Sequence, residues 1–256
     1  RMGNVYGGGK GSISAVYSGI VMGNTNVNIS GGAIYHNVYG GGALGSVGTF
    51  TLADADYHTA HAMVPVGSPL TWSDGTGTAT VTITGGLIGI NGWDNGMING
   101  SSRGDISDEK PAIFDEYDNL AWVNNSNVTI GTAGQGFDTP QPQIKGTVYG
   151  GGENGHNQGN TVVNIHSGTI GSSATSAWEN GNVFGAGCGI DTYPTPEGKS
   201  SAYKYFNPMG GRVRGTSTLN IDGGHVLRSV YGGGSMASVD GATTITISGG
   251  RIGYDG

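Results

Sequence analysis

The pentapeptide Val-Tyr-Gly-Gly-Gly recurs at 5–9, 38–42, 148–152 and 230–234, with a Val-Phe-Gly-Ala-Gly variant at 183–187. Each copy leads to a short run that closes on glycine. These runs are Val27-Asn28-Ile29-Ser30-Gly31-Gly32, Val81-Thr82-Ile83-Thr84-Gly85-Gly86, Val163-Asn164-Ile165-His166-Ser167-Gly168, Leu219-Asn220-Ile221-Asp222-Gly223-Gly224 and Ile245-Thr246-Ile247-Ser248-Gly249-Gly250. A repeat of this kind constrains the fold more than any other feature. One unit cannot bury its own apolar face, so neighbouring units must stack.

At its shortest, the first half lies 17 residues before the second (Val148 to Ile165, Val230 to Ile247), and 9 residues lead back to the next Val-Tyr (Ile29 to Val38, Ile221 to Val230). The minimal period is therefore 26 residues, and longer units are this one with insertions. A sixth, worn copy is read at Met97-Ile98-Asn99-Gly100 leading to Val128-Thr129-Ile130, which puts unit starts near 5, 38, 97, 148, 183 and 230. The closing runs alternate apolar residues with Asn or Thr, the period-2 signature of a strand with one face in a core. The glycine pairs after them supply the positive-φ corners of a tight bend. No stretch of ten residues carries helical apolar spacing without a glycine in it.

Other repeat folds fit poorly. A leucine-rich repeat needs leucines, and the chain has seven. A propeller blade needs about 40–45 residues. The calcium-binding nonapeptide repeat needs Asp after its glycines, whereas Lys10, Ala43, Glu153 and Ser235 stand there. The expected fold is all-β: a single parallel β-helix of about six units, with insertions at approximately 49–77, 101–123, 172–181 and 188–214. Its inward Val, Ile and Leu residues should form one buried column-like core, from Val5 through Val27, Ile29 and Val38 to Val230, Ile245 and Ile247. Tyr6, Tyr39, Tyr149, Phe184 and Tyr231 should stack as an aromatic ladder.

Composition sets the outer bounds. Glycine makes up 53 of 256 residues, about three times the usual ~7%, yet it punctuates β-branched runs and does not replace them. A net charge of −7 with no basic stripe argues against nucleic acid as a partner. No apolar run is long enough to span a membrane. The one cysteine, Cys188, excludes an intrachain disulfide and reads as a small buried side chain.

The strings Gly23-Asn24-Thr25-Asn26-Val27-Asn28-Ile29-Ser30-Gly31-Gly32 and Gly159-Asn160-Thr161-Val162-Val163-Asn164-Ile165 resemble the glycine-rich repeat of very large, adhesin- or autotransporter-like surface proteins of Bacteroidetes. The resemblance covers the repeats and not the insertions. It implies an exported shaft at the cell surface or released from it, and it carries no catalytic residue. Both ends of the chain read as continuing repeat, so the expectation is an interior stretch of a longer protein. Its partners would be flanking repeats or further copies of itself, and a glycan or host surface.

Candidate sites fall in the insertions, where loops on a rigid scaffold usually bind. Asp105, Asp108, Glu109, Asp115, Glu116 and Asp118 gather the carboxylates that calcium requires, although an acidic solvated loop has the same composition. Asp54, Asp56, His58 and His61 hold metal-ligating atoms in the first insertion. Trp72, Trp93, Trp122 and Trp178 suit stacking on sugar rings, or anchoring each insertion to the scaffold. A polysaccharide lyase or hydrolase would need paired carboxylates, or calcium with Lys110 or Arg103, in one groove. A phage tail fibre or tailspike segment shares the fold logic. The non-enzymatic shaft is the expected function, since the repeated units carry Asn and Thr where a groove would need catalytic groups.

Overall fold

The computed structural model describes residues 3–12, 18–51, 71–72, 75–90, 96–104, 120–135, 142–172, 180–189 and 210–254. Among them there is no helix, and so none long and apolar enough to cross a membrane. The strands pair in parallel, with one antiparallel exception.

The Val-Tyr positions build a six-stranded sheet: β1 (Val5–Tyr6), β3 (Val38–Tyr39), β7 (Ile98–Asn99), β11 (Val148–Tyr149), β15 (Val183–Phe184) and β18 (Val230–Tyr231). They neighbour one another in chain order, each Val or Ile facing the next unit's Val or Ile. The worn third copy is therefore in register with the rest.

The closing runs build a ten-stranded sheet. Its long members are β2 (Thr25–Ile34), β6 (Thr78–Ile88), β9 (Asn125–Ile130), β13 (Thr161–Ile165), β16 (Ser217–Ile221) and β19 (Thr243–Ile247). Its short members are β10 (Gln143–Ile144), β14 (Thr169–Ile170), β17 (His225–Val226) and β20 (Arg251–Ile252). The long β2 and β6 run through both parts, bending at a glycine pair. There Gly32 has φ 81° and Gly86 φ 92°, the left-handed region that a side chain disfavours.

Two small sheets complete the set. β4 (Phe50–Thr51) and β5 (Thr71–Trp72) form the antiparallel pair, and β8 (Trp122–Val123) pairs with β12 (His156–Asn157). The second pair belongs to a further column that the sequence reading missed. Val21, Val47, Val123, Asn157, Val213 and Val239 are joined one to the next by single parallel bridges or by β8–β12. One residue per unit leaves no periodic signal. Residues 101–104 and 120–123, read from sequence as insertion, thus belong to the pairing scaffold.

One core lies between the two large sheets. It unites Val38, Ile98, Val148 and Val183 with Val27, Ile29, Val81, Ile83, Val128, Ile130, Val163, Ile165, Leu219 and Ile221, and with Ile88, Ile144, Ile170 and Val226. Burying each such side chain is worth about 1.5–3 kcal/mol. The expected column needs correction at its ends. Val5 and Val230 are only partly buried against the core, and Ile245 and Ile247 are 41% and 53% exposed. They occupy β19, which among the described residues is the outermost strand, with a neighbour on one side only.

Polar side chains tie unit to unit. The first residue of each long run donates its hydroxyl to the first glycine carbonyl of the next unit: Thr25 to Gly40 at 2.7 Å, Ser126 to Gly150 at 2.6 Å, Thr161 to Gly185 at 2.6 Å and Ser217 to Gly232 at 2.7 Å. Ala79 is the exception, and it packs instead with Val47 and Val123. Asparagine oxygens serve similarly. Asn24 accepts from the backbone N–H of Thr78, Asn125 from that of Asn160, and Asn160 from that of Thr216, at 2.8–2.9 Å. Thr161→Val keeps the shape of a fully buried side chain and removes its donor. It is expected to lower stability by about 1–2 kcal/mol, read from urea unfolding.

Candidate functional site

Alternation along β1, β3, β7, β11, β15 and β18 turns the aromatic positions away from the core. Tyr6 stacks on Tyr39 with ring centroids 4.8 Å apart, Tyr149 on Phe184 at 5.1 Å, and Phe184 on Tyr231 at 4.6 Å, all within 8° of parallel. The expected ladder is broken once. Asn99 pairs in register between Tyr39 and Tyr149, is fully buried, and has neither amide atom hydrogen-bonded. A short amide stands here where the other units carry a ring.

Polar groups from neighbouring units converge beside this break. The Tyr39 phenol donates to Oε2 of Glu153, which lies 114 residues away, and accepts from the Asn37 amide at 3.3 Å. The Arg103 guanidinium Nε stands 3.8 Å from the same carboxylate oxygen. Arg103 and Glu153 each follow the glycine-triplet position of their unit, so stacking alone makes them neighbours. Burial, then the Glu153 charge and the hydrogen bond donated to it, hold the Tyr39 hydroxyl far above the ordinary tyrosine range. Burial also raises Tyr6, opposed by Arg103.

A phenol raised in the folded state contributes stability that is fully present below about pH 10 and is lost as pH rises beyond it. In an alkaline titration followed by tyrosinate absorbance, Tyr39 should ionise only as the protein unfolds. Tyr39→Phe should make the alkaline unfolding edge shallower. An unchanged edge would remove Tyr39 from its cause.

The cluster has little chemical reach of its own. Tyr39 is 1% exposed, and Glu153 is engaged by both Tyr39 and Arg103. The other described carboxylates are engaged likewise. Asp222 meets His166 at 2.8 Å, and Asp240 takes Arg212 through two bonds of 3.0 and 2.8 Å. Among the described residues, each acid meets a basic side chain, and no group of three or more His, Cys, Asp or Glu side chains comes together.

Trp122 is the sugar-stacking candidate whose surroundings the structure shows, and they favour the anchoring alternative at this position. It is 3% exposed. His156 lies against its ring at 4.8 Å with a 43° tilt, and the Arg214 guanidinium sits 5.0 Å over the ring centroid. It is an anchor within the stack, held by a cation–π contact. Burial, with the charge of Arg212, holds the Arg214 guanidinium below its usual range, while Asp240 opposes the shift. Trp72 stands in β5. Trp93, Trp178, Lys110, the acids Asp105, Asp108, Glu109, Asp115, Glu116 and Asp118, and Asp54, Asp56, His58 and His61 lie outside the described residues. Cys188 is partly exposed, not buried as its glycine-rich context implied. In the sequence, Glu153 is distinguished only as the residue that follows a glycine triplet. Its partner Tyr39 belongs to another unit, and no local pattern joins them.

Comparison with known proteins gives no matching family model, no similar curated protein and no similar solved structure.

Proposed function

We propose that this chain is a length of parallel β-solenoid of about six units, serving as a stiff shaft in a secreted or cell-surface bacterial adhesin or fibre. The observation that carries the reading is the unbroken register of Val5, Val38, Ile98, Val148, Val183 and Val230. Parallel pairing across every unit transmits load through backbone hydrogen bonds along the whole stack. Polar side chains at the start of the long runs join one unit to the next, as Thr161 to Gly185 and Asn160 to Thr216 exemplify. The same positions in an enzyme would converge on a groove. Exposed Ile245, Ile247 and Ile252 continue columns that are buried one unit earlier, which suits contact with further repeats of the same kind.

The test is mechanical and chemical together. A tandem duplication of the six units should give a particle longer by about 29 Å at constant cross-section in small-angle scattering. The native chain should release no product from a panel of neutral and acidic polysaccharides. Growth in all dimensions would reject the shaft, and sustained cleavage would replace it with the lyase or hydrolase reading.

A further inference from the structure

The outward positions of the ten-stranded sheet form a second regular surface. Along each long strand, Val, Ile or Leu points to the core, and the residues between them point away. The outward residues fall into two columns held in register from β2 to β19. In the middle units they are Thr80 and Thr82, Asn127 and Thr129, then Asn164 and Asn220, all half-buried, with Val162 the one apolar member. No Lys, Arg, Asp or Glu stands in either column. Positions lie about 6.7 Å apart along a strand and about 4.8 Å apart from strand to strand. The array is partly pre-ordered, since the Asn220 amide donates to Asn164 at 3.0 Å.

We propose that this face binds an extended, unbranched, neutral polysaccharide laid along the stack, with about one sugar residue to each strand. The proposal rests on the shaft reading and names its ligand class. Threonine hydroxyls both donate and accept, and asparagine amides do so in one plane, which matches the adjacent hydroxyls of a sugar ring. An extended pyranose chain advances per residue by a distance close to the strand spacing, so each strand meets the hydroxyls of about one sugar. Charge selects among polymers. An acidic polysaccharide finds no counter-charge in the columns and meets a chain of net charge −7, whereas a neutral one pays no such repulsion. Each sugar is held weakly, and the row acts by multivalency on side chains already ordered.

Affinity electrophoresis tests this with the whole chain. Gels would contain a soluble unbranched glucan, mannan or xylan, or a polyuronate as the charged comparison. The native protein should be retarded by at least one neutral polymer, insensitively to salt, and not by the polyuronate. Thr82→Lys with Asn164→Lys should weaken that retardation at least tenfold. Thr82→Ala with Asn164→Ala, which places no new charge, should weaken it in the same direction. Met22→Lys, at an exposed site outside these columns, should leave it unchanged. Melting curves establish that each variant is folded. No retardation by any neutral polymer, equal retardation by the polyuronate, or native binding by folded double variants would overturn the proposal. Thermal hysteresis in freezing solutions, lost in the same variants, would reassign the face to ice and overturn it too. A chain that lengthens as a rod on duplication but ignores all three neutral polymers refutes only this proposal. A chain that cleaves one of them refutes the shaft.

Discussion

Gly150→Ala is expected to cost about 3 kcal/mol or more, while Gly31→Ala should change stability by no more than about 0.5 kcal/mol. An added Cβ at Gly150 would stand 2.0 Å from the carbonyl oxygen of Gly185 and 2.9 Å from Cγ2 of Val163. The oxygen belongs to the backbone of the next unit, so no rotamer change relieves the clash. The strands must part instead, and with them the pairing of Val148 with Val183. Gly31 meets nothing within 4 Å. The same close approach recurs at Gly7, Gly40 and Gly100, each 2.2 Å from the next unit's glycine carbonyl. At Gly7, Gly40, Gly100 and Gly150 the glycine is therefore required by the approach of the next unit, not by an unusual φ, whereas Gly232 meets only side-chain atoms at 3.2 Å or more. Urea midpoints of the two variants check the contrast, and equal losses would remove this account of the triplet.

Ile165→Ala should lower stability by about 3–4 kcal/mol, and Ile247→Ala by about 1 kcal/mol or less. The two residues share one column, Ile165 pairing with Ile221 and Ile221 with Ile247. Ile165 is fully buried, whereas Ile247 is 53% exposed. Truncation at Ile165 leaves a cavity between paired strands, which the tightly spaced backbone cannot close. Truncation at Ile247 opens nothing that solvent does not already reach. If a further unit covered β19, as the shaft reading has it, Ile247→Ala would become as costly as Ile165→Ala. Measuring both variants in the chain and in its tandem duplication reads this directly, and a loss at Ile247 that stays small after duplication counts against stacking at that face.

The sequence determined what recurs locally. Alternation in Val81-Thr82-Ile83 and its equivalents assigned strands and their inward faces, because side-chain direction in a strand depends only on parity. The glycine pairs marked corners, because Gly32 and Gly86 need positive φ whatever surrounds them. The spacing of Val-Tyr copies even recovered the worn unit at Ile98, which pairs with Val38 and Val148. Stacking decided the rest, because it depends on which residues of distant segments land at one level. Tyr39 and Glu153 meet across 114 residues, beside an Asn99 that the repeat alone marks only as a worn position. Trp122 became an anchor because His156 and Arg214 arrive from other units to cover it. Ile247 matches Ile165 in pattern and differs in burial, since burial is set by the strands on either side and not by the residue itself.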